Sequence, residues 1–140
     1  EDGKKIVLLG TPSEEKLLNR IKSYCPPGKI KIIPAVNLRV VAGILKKSRL
    51  FIGNDSGMMH LASMVGTPIV AIFGPGNVGT TGPYVARENY EIVTGNYSCS
   101  PCRQRFFKEC KPSPHNKPYC LEDITVKNVY EAIHRLSKRI

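Results

Sequence analysis

Short apolar runs alternate along this chain with stretches in which apolar residues recur at helical spacing. Ile6-Val7-Leu8-Leu9 ends at Gly10 and reads as a buried strand. Thr11-Pro12-Ser13-Glu14 opens a helix. Thr11 offers the cap, Pro12 suits the first helical position, and Glu14 completes a capping box. Leu17, Leu18, Ile21 and Tyr24 keep the helical period until Pro26-Pro27-Gly28 stops it. Lys29 to Ile33 is a second strand, ended by Pro34, and Asn37 caps a second helix with Leu38, Val41, Ala42 and Leu45 on one face.

Leu50-Phe51-Ile52-Gly53 is a third strand, with turn chemistry in Asn54-Asp55-Ser56-Gly57 at its end. Met58 to Val65 has helical spacing, with Leu61, Met64 and Val65 on one face and Gly66 as the residue that ends the helix. Ile69 to Phe73 is a fourth strand, 74–83 a Gly/Pro/Thr loop, and Tyr90 to Thr94 a fifth strand. Residues 96–122 carry cysteines and read as a loop insertion. Thr125 caps a last helix, with Val126, Val129, Ile133 and Leu136 facing inward. Strands that are continuous apolar runs, alternating with helices, predict an α/β fold: a Rossmann-like parallel sheet with helices on both faces. Ligands of such sheets bind beyond the carboxyl ends of the strands. Two glycine-rich turns fall there, after Gly53 and after Phe73.

Composition fits one domain over 1–140. Hydrophobic residues make up 41%, which excludes wholesale disorder. The longest apolar run is far short of the ~20 residues a membrane span needs. The opening Glu1-Asp2-Gly3-Lys4-Lys5 lacks the apolar core of a secretory signal. The net charge of +10 is compatible with nucleic acid, a membrane surface or an anionic small molecule. Its distribution is more informative. Residues 1–47 carry a net +6 and residues 99–120 a net +4, while residues 48–98 carry −1 and hold eight of the twelve glycines. Glycine without positive charge points to a site built from backbone.

Three segments carry candidate chemistry. In Gly53-Asn54-Asp55-Ser56-Gly57-Met58-Met59-His60 a strand ends and a helix begins at once. Such a turn presents unpaired N–H groups and the positive end of a helix dipole to an anion. Ser56 adds a hydroxyl, Gly57 permits close approach, and His60 sits one turn into the helix. The alternative is a plain cap by Asp55 or Ser56 with His60 as an ordinary helix residue. Gly74-Pro75-Gly76-Asn77-Val78-Gly79 matches the dinucleotide spacing G-x-G-x-x-G. However, no helix opens after Gly79 and no acidic residue follows about 20 positions on, so a ligand-facing loop with Thr80 and Thr81, or a surface loop, stands beside the nicotinamide reading. Cys99-x2-Cys102 with Cys110 and Cys120 can supply four zinc ligands, although the second pair lacks finger-like spacing. Reduced or bridged thiols are the other reading, and Cys25 is remote.

The segment LFIGNDSGMMHLASMVGTPIVAIFGPGNVGTTGPY, Leu50 to Tyr84, resembles glycosyltransferase family 9, the ADP-heptose:lipopolysaccharide heptosyltransferases. Asp55-Ser56-Gly57, His60, Ala62-Ser63, Gly66-Thr67-Pro68, Phe73-Gly74-Pro75 and Thr81-Gly82-Pro83-Tyr84 fall in the family's order. Cys99-Ser100-Pro101-Cys102 matches a segment of some members. The resemblance implies the C-terminal, donor-binding half of a GT-B enzyme that transfers heptose with inversion and without a metal cofactor. Asp55, Ser56, Gly57 and His60 would line the donor diphosphate and sugar, with Gly74, Pro75 and Thr81 shaping the rim. The family's N-terminal acceptor domain, with its general base, has no counterpart in these residues. No catalytic residue is therefore assigned here, and Asp55 is expected to cap a helix or meet a donor hydroxyl. The implied partners are ADP-heptose, a lipopolysaccharide core acceptor and the missing N-terminal domain. The implied location is the cytoplasm, at the inner face of the inner membrane, where the basic surplus would favour peripheral association. A basic nucleic-acid-binding module, resting on the charge and on Phe106 and Phe107 in the cysteine segment, is the rival of another class. The scattered basic residues and the lack of a zinc-finger histidine pair argue against it, so no nucleic acid is expected. A NAD or nucleotide-sugar Rossmann protein is the remaining rival.

Overall fold

The structure is a computed structural model that describes residues 4–34, 37–100, 102 and 107–140. Pro101 and Phe106 lie outside the described residues. The chain divides into two compact units, residues 1–41 and 42–140.

In the first unit, β1 (Ile6–Leu9) pairs in parallel with β2 (Ile30–Ile33), Ile6 standing opposite Ile30. The capping box forms as expected. The Glu14 carboxylate accepts from both the Thr11 N–H and the Thr11 hydroxyl at 2.8 Å, and a 3-10 turn, Pro12–Glu14, leads into α1 (Glu15–Ser23). Of the helical stripe read from the sequence, Leu18 is buried, while Leu17, Ile21 and Tyr24 are exposed. Asn37 caps α2 (Leu38–Lys46) through its side-chain oxygen, which accepts from the Arg39 N–H at 2.8 Å. Leu38 is exposed on that helix, and Val41 and Leu45 are buried.

The second unit is built on three parallel strands in the order β3 (Phe51–Asn54), β4 (Ile69–Phe73), β5 (Tyr90–Thr94). The central β4 explains the architecture. Val70, on one face, packs in a cluster with Val93 of β5 and with Ala132 and Leu136 of α6 (Val126–Ser137). The alternate residues Ile69, Ala71 and Phe73 take the opposite face by strand geometry and are equally buried. α3 (Gly57–Met64) packs against β3 and β4 and buries Met59, Ala62 and Ser63. A continuous apolar run is thus buried on two sides, as parallel strands require. Among the described residues the five strands fall into two sheets, of two and three strands.

Two helix faces differ from the sequence reading. On α3, Met64 is 82% exposed, and the inward positions are Met59, Ala62 and Ser63. The small Ala62 and Ser63 let the helix approach the sheet closely, which hydrophobicity alone does not signal. On α6, Val126 is 88% exposed because it stands at the first helical position, one residue after the Thr125 cap. Gly66 has φ +75°, the left-handed conformation that ends α3. Its neighbours anchor the turn: the Thr67 hydroxyl donates to the Leu45 carbonyl at 2.8 Å, and the Phe51 N–H donates to the Pro68 carbonyl at 2.8 Å.

Candidate functional site

The turn between β3 and α3 is held from below. The Asp55 N–H donates to the Ile72 carbonyl at 3.0 Å, extending the β3–β4 ladder by one residue. Ser56 has extended backbone and is the N-cap of α3, but no side chain caps this helix. By contrast, Thr125 caps α6 and Asn77 caps α4 (Val78–Thr81) with their side-chain oxygens. The Met59 and His60 N–H groups return to the Ser56 carbonyl at 3.0 and 3.3 Å. The N–H groups before them have no intrahelical partner, as in any α-helix. At Gly57 nothing lies within 4 Å of where a Cβ would stand, so the mouth of the helix is open. His60 is exposed one turn along.

The expected capping role of Asp55 is not seen. Its carboxylate faces the loop after β4 and accepts from the Thr81 hydroxyl at 3.2 Å, across 26 residues. That hydroxyl is also 3.1 Å from the Asn77 carbonyl. Gly76 lies directly against the carboxylate, where a Cβ would come within 2.3 Å of Asp55 Oδ2. Only glycine lets the loop lie this close. Asn77 then starts α4, a single turn where the sequence predicted continuous loop, by accepting from the Gly79 N–H at 2.9 Å. The turn therefore opens at Val78, before Gly79 and not after it, which places Gly79 inside a helix and not at a dinucleotide crossing. Gly76 and Asn77 are the site-building residues that the sequence reading passed over. For Asn77 the signal was an N-cap residue type ahead of the turn, as Thr125 was for α6.

The remaining expected residues, Gly74 and Pro75, precede Gly76 in the same loop and also meet the cysteine segment. Gly74 is buried, and a Cβ on it would fall 2.3 Å from Leu121 Cγ. Gly74 and Pro75 line a cavity of about 470 Å³ together with Cys99, Cys102, Cys110 and Cys120. A second cavity, about 440 Å³, is lined by polar groups including Asn96, Asp123, Asn128 and Arg135. Neither is lined by Asp55, Ser56, Gly57 or His60. The structure thus brings Thr81 to the Asp55–His60 turn and places Gly74 and Pro75 against the cysteine segment. A last tie crosses the motif: the Tyr84 N–H donates to the Ser63 hydroxyl at 3.1 Å.

An open, uncapped helix start fixed between two loop struts is suited to holding an anion by backbone N–H groups. Comparison with known proteins is consistent with that chemistry. The family model described as glycosyltransferase family 9 (heptosyltransferase) matches residues 1–111, which contain every expected donor-site residue. Lipooligosaccharide heptosyltransferase 2 of Campylobacter jejuni (strain 81116) is 32% identical over 137 residues, covering 95% of this chain and 41% of that protein. Lipopolysaccharide heptosyltransferase 1 of Pseudomonas aeruginosa is 29% identical over 93 residues, 66% of this chain and 25% of that protein. Among solved structures, a family 9 glycosyltransferase of Veillonella parvula superposes with a TM-score of 0.77 at 26% identity, covering 99% of this chain and 38% of that one. The E. coli ADP-heptose lipopolysaccharide heptosyltransferase II superposes with a TM-score of 0.72 at 20% identity, 94% of this chain and 36% of that one. This chain spans about two-fifths of the length of the Campylobacter relative.

Proposed function

Because the chain belongs to glycosyltransferase family 9, the heptosyltransferases, we propose that it is the donor-binding portion of an inverting enzyme that moves heptose from ADP-heptose to a lipopolysaccharide core acceptor. The observation that carries this reading is the uncapped start of α3, held open by the Asp55–Thr81 strut. The donor diphosphate lies across the N–H groups of the first turn of α3, with the Ser56 hydroxyl beside it. As the glycosidic bond to the diphosphate breaks, negative charge grows on the departing phosphate. Fixed N–H dipoles and the helix end stabilise that charge without reorganising. His60, one turn along, reaches the same phosphate or the sugar. Asp55 acts as a positioning residue that joins the two loops. The general base belongs to the acceptor-binding part of the enzyme, so these 140 residues alone bind donor nucleotide without transferring sugar.

The charge map supports a location at the cytoplasmic face of the inner membrane. The surplus lies in residues 1–47 and 99–120, outside the 48–98 segment that holds the proposed anion-binding turn, and would draw the protein to an anionic leaflet. Among the described residues no helix is long and apolar enough to cross a membrane.

Calorimetric titration of the chain with ADP, UDP, GDP and NAD tests the reading. ADP is expected to bind best, and Thr81→Val to weaken it by about tenfold, of the order of one charge-assisted hydrogen bond. Indifference to all four nucleotides, or sugar transfer by the isolated chain, would overturn it.

A further inference from the structure

The cysteine segment is the part of the molecule that sugar transfer leaves unexplained. Between the end of β5 at Thr94 and α5 (Tyr119–Glu122) the described residues form no helix or strand, only one isolated bridge, Pro112 to Pro118. Ser113 is the buried residue of this stretch, and among its described residues no apolar side chain is buried. Loops of this length without structure of their own are uncommon in compact domains. A segment whose described residues bury no apolar side chain gains most from a covalent or metal staple.

Its two ends are nevertheless tied to each other and to the end of β4. The Tyr97 hydroxyl donates to the Asp123 carboxylate, which pushes the phenol up to about 12. Tyr97 also folds so tightly over Gly95 that a Cβ there would fall 2.6 Å from its ring. Leu121 fills the space beside Gly74 at the end of β4. Between these anchors the segment turns Cys99, Cys102, Cys110 and Cys120 onto a single cavity, floored by Gly74, Pro75 and Gly95. Residues up to 21 positions apart in the chain thus line one cavity, and Cys25 is not among them. None of the five cysteines is in a disulfide.

We propose that Cys99, Cys102, Cys110 and Cys120 are the four thiolate ligands of one structural zinc ion, which closes this segment over the carboxyl ends of β4 and β5. The Cys99-x2-Cys102 pair supplies one bite of a tetrahedral site, and Cys110 and Cys120 supply the other two ligands. Among the described residues no three Cys, His, Asp or Glu side chains are already gathered closely enough to hold an ion. Binding therefore draws the thiols inward, which couples metal binding to ordering of the segment. A dication would neutralise four thiolates brought to one point, which otherwise repel one another. On binding, each thiol loses its proton to solvent, and the ion gains four Zn–S bonds in exchange for water. Oxidation state does not change. The consequence for the enzyme is mechanical: the staple fixes the wall formed by Gly74 and Pro75, next to the loop whose Thr81 meets Asp55.

The test is metal analysis of the 140-residue chain purified under reducing conditions without chelator. About one zinc per chain is expected. With the metal in place only one thiol, Cys25, should react rapidly with a disulfide reagent, and mercurial titration of the rest should release zinc in step. Cys25→Ser should keep the full zinc content, while Cys110→Ser and Cys120→Ser should each lower it several-fold. Removing zinc with a chelator should speed proteolysis after Lys108 and Lys111 while leaving amide-exchange protection of β4 unchanged. That last readout separates loss of the staple from a general failure to fold. Five rapidly titrating thiols without bound metal, iron in place of zinc, or a mass four hydrogens lighter from two disulfides would each overturn the proposal.

Discussion

β1 and β4 are nearly the same sequence object, IVLL and IVAIF, and they have opposite fates within their units. Every residue of β4 is buried apart from Ile72, which is partly so. In β1, Ile6 is 47% and Val7 40% exposed. The difference is in what surrounds each strand. β4 has a strand on both edges, and α3 and α6 both pack against it. Among the described residues, β1 has β2 as its one strand partner, and the buried apolar residues of its unit are Leu18, Ile30 and Val41. An apolar run records what a strand requires of its surroundings in the whole protein. It does not say how much of that cover lies in the stretch of chain at hand. The turn proposed to hold the donor is carried by the well-covered sheet, which suits a site that works by preorganised backbone.

The largest test of this contrast is Phe73→Ala. Phe73 is fully buried at the end of β4, directly before Gly74. Removing its ring leaves a cavity that close-packed neighbours fill only in part, at a cost of about 3–5 kcal/mol. Chemical denaturation followed by circular dichroism should show this as a lower midpoint with an unchanged slope for the 42–140 unit. A loss below about 1 kcal/mol would mean that the β4 core is far looser than its burial indicates.

A smaller effect separates the units by charge. Glu91 of β5 is buried and paired with two arginines of the α6 end, Arg139 at 2.7 Å and Arg135 at 3.1 Å. Burial pushes its carboxyl up, but Arg139 and then Arg135 more than offset this and leave it below the usual value. A carboxylate depressed on folding contributes stability above its unfolded pKa, and that contribution is lost as pH falls through the folded value. Glu91→Gln should therefore cost about 1–2 kcal/mol at pH 7, the arginines being partly exposed. It should also flatten the loss of stability on acidification below about pH 4. In the other unit, Glu14 is also held low, by the Thr11 N–H and hydroxyl, but it is fully exposed. Glu14→Gln should leave the acid limb of the stability curve almost unchanged. Equal flattening by both substitutions would erase the distinction.

The local signals were legible wherever one residue type settles one geometry. Thr11 with Glu14, Asn37, Thr125 and Gly66 all act as read, because capping and a left-handed φ depend on atoms within three or four positions. The five strands were legible as apolar runs, each ending at or beside a Gly or Pro. What did not show was anything that depends on distant partners. The Asp55–Thr81 bond spans 26 residues, so Asp55 looked like a helix cap. The inward face of α3 is set by small residues, so Met64 was placed with the apolar stripe when it faces solvent. The division of the strands into two sheets leaves no mark on any one strand. The Asp55–His60 turn was therefore read from local chemistry, whereas the packing of Gly74 and Pro75 against the cysteine segment was not.

The smallest expected effect is the sharpest check on the comparison. Ile6 is apolar, in a strand, and paired in register with Ile30, so by sequence it ranks with the residues of β4. With 47% of its surface exposed, it gives up only part of the transfer free energy of a buried isoleucine. Ile6→Ala should cost about 1 kcal/mol or less, against the 2–5 kcal/mol of a fully buried isoleucine such as Ile69. The two substitutions remove the same atoms from parallel strands, so propensity and chemistry cancel and cover alone differs. Paired denaturation curves for Ile6→Ala and Ile69→Ala measure that cover directly. Equal losses would mean that β1 is as well buried in solution as β4. A gap of about 1 kcal/mol or more in the stated direction would locate the weakly covered face of this chain on β1.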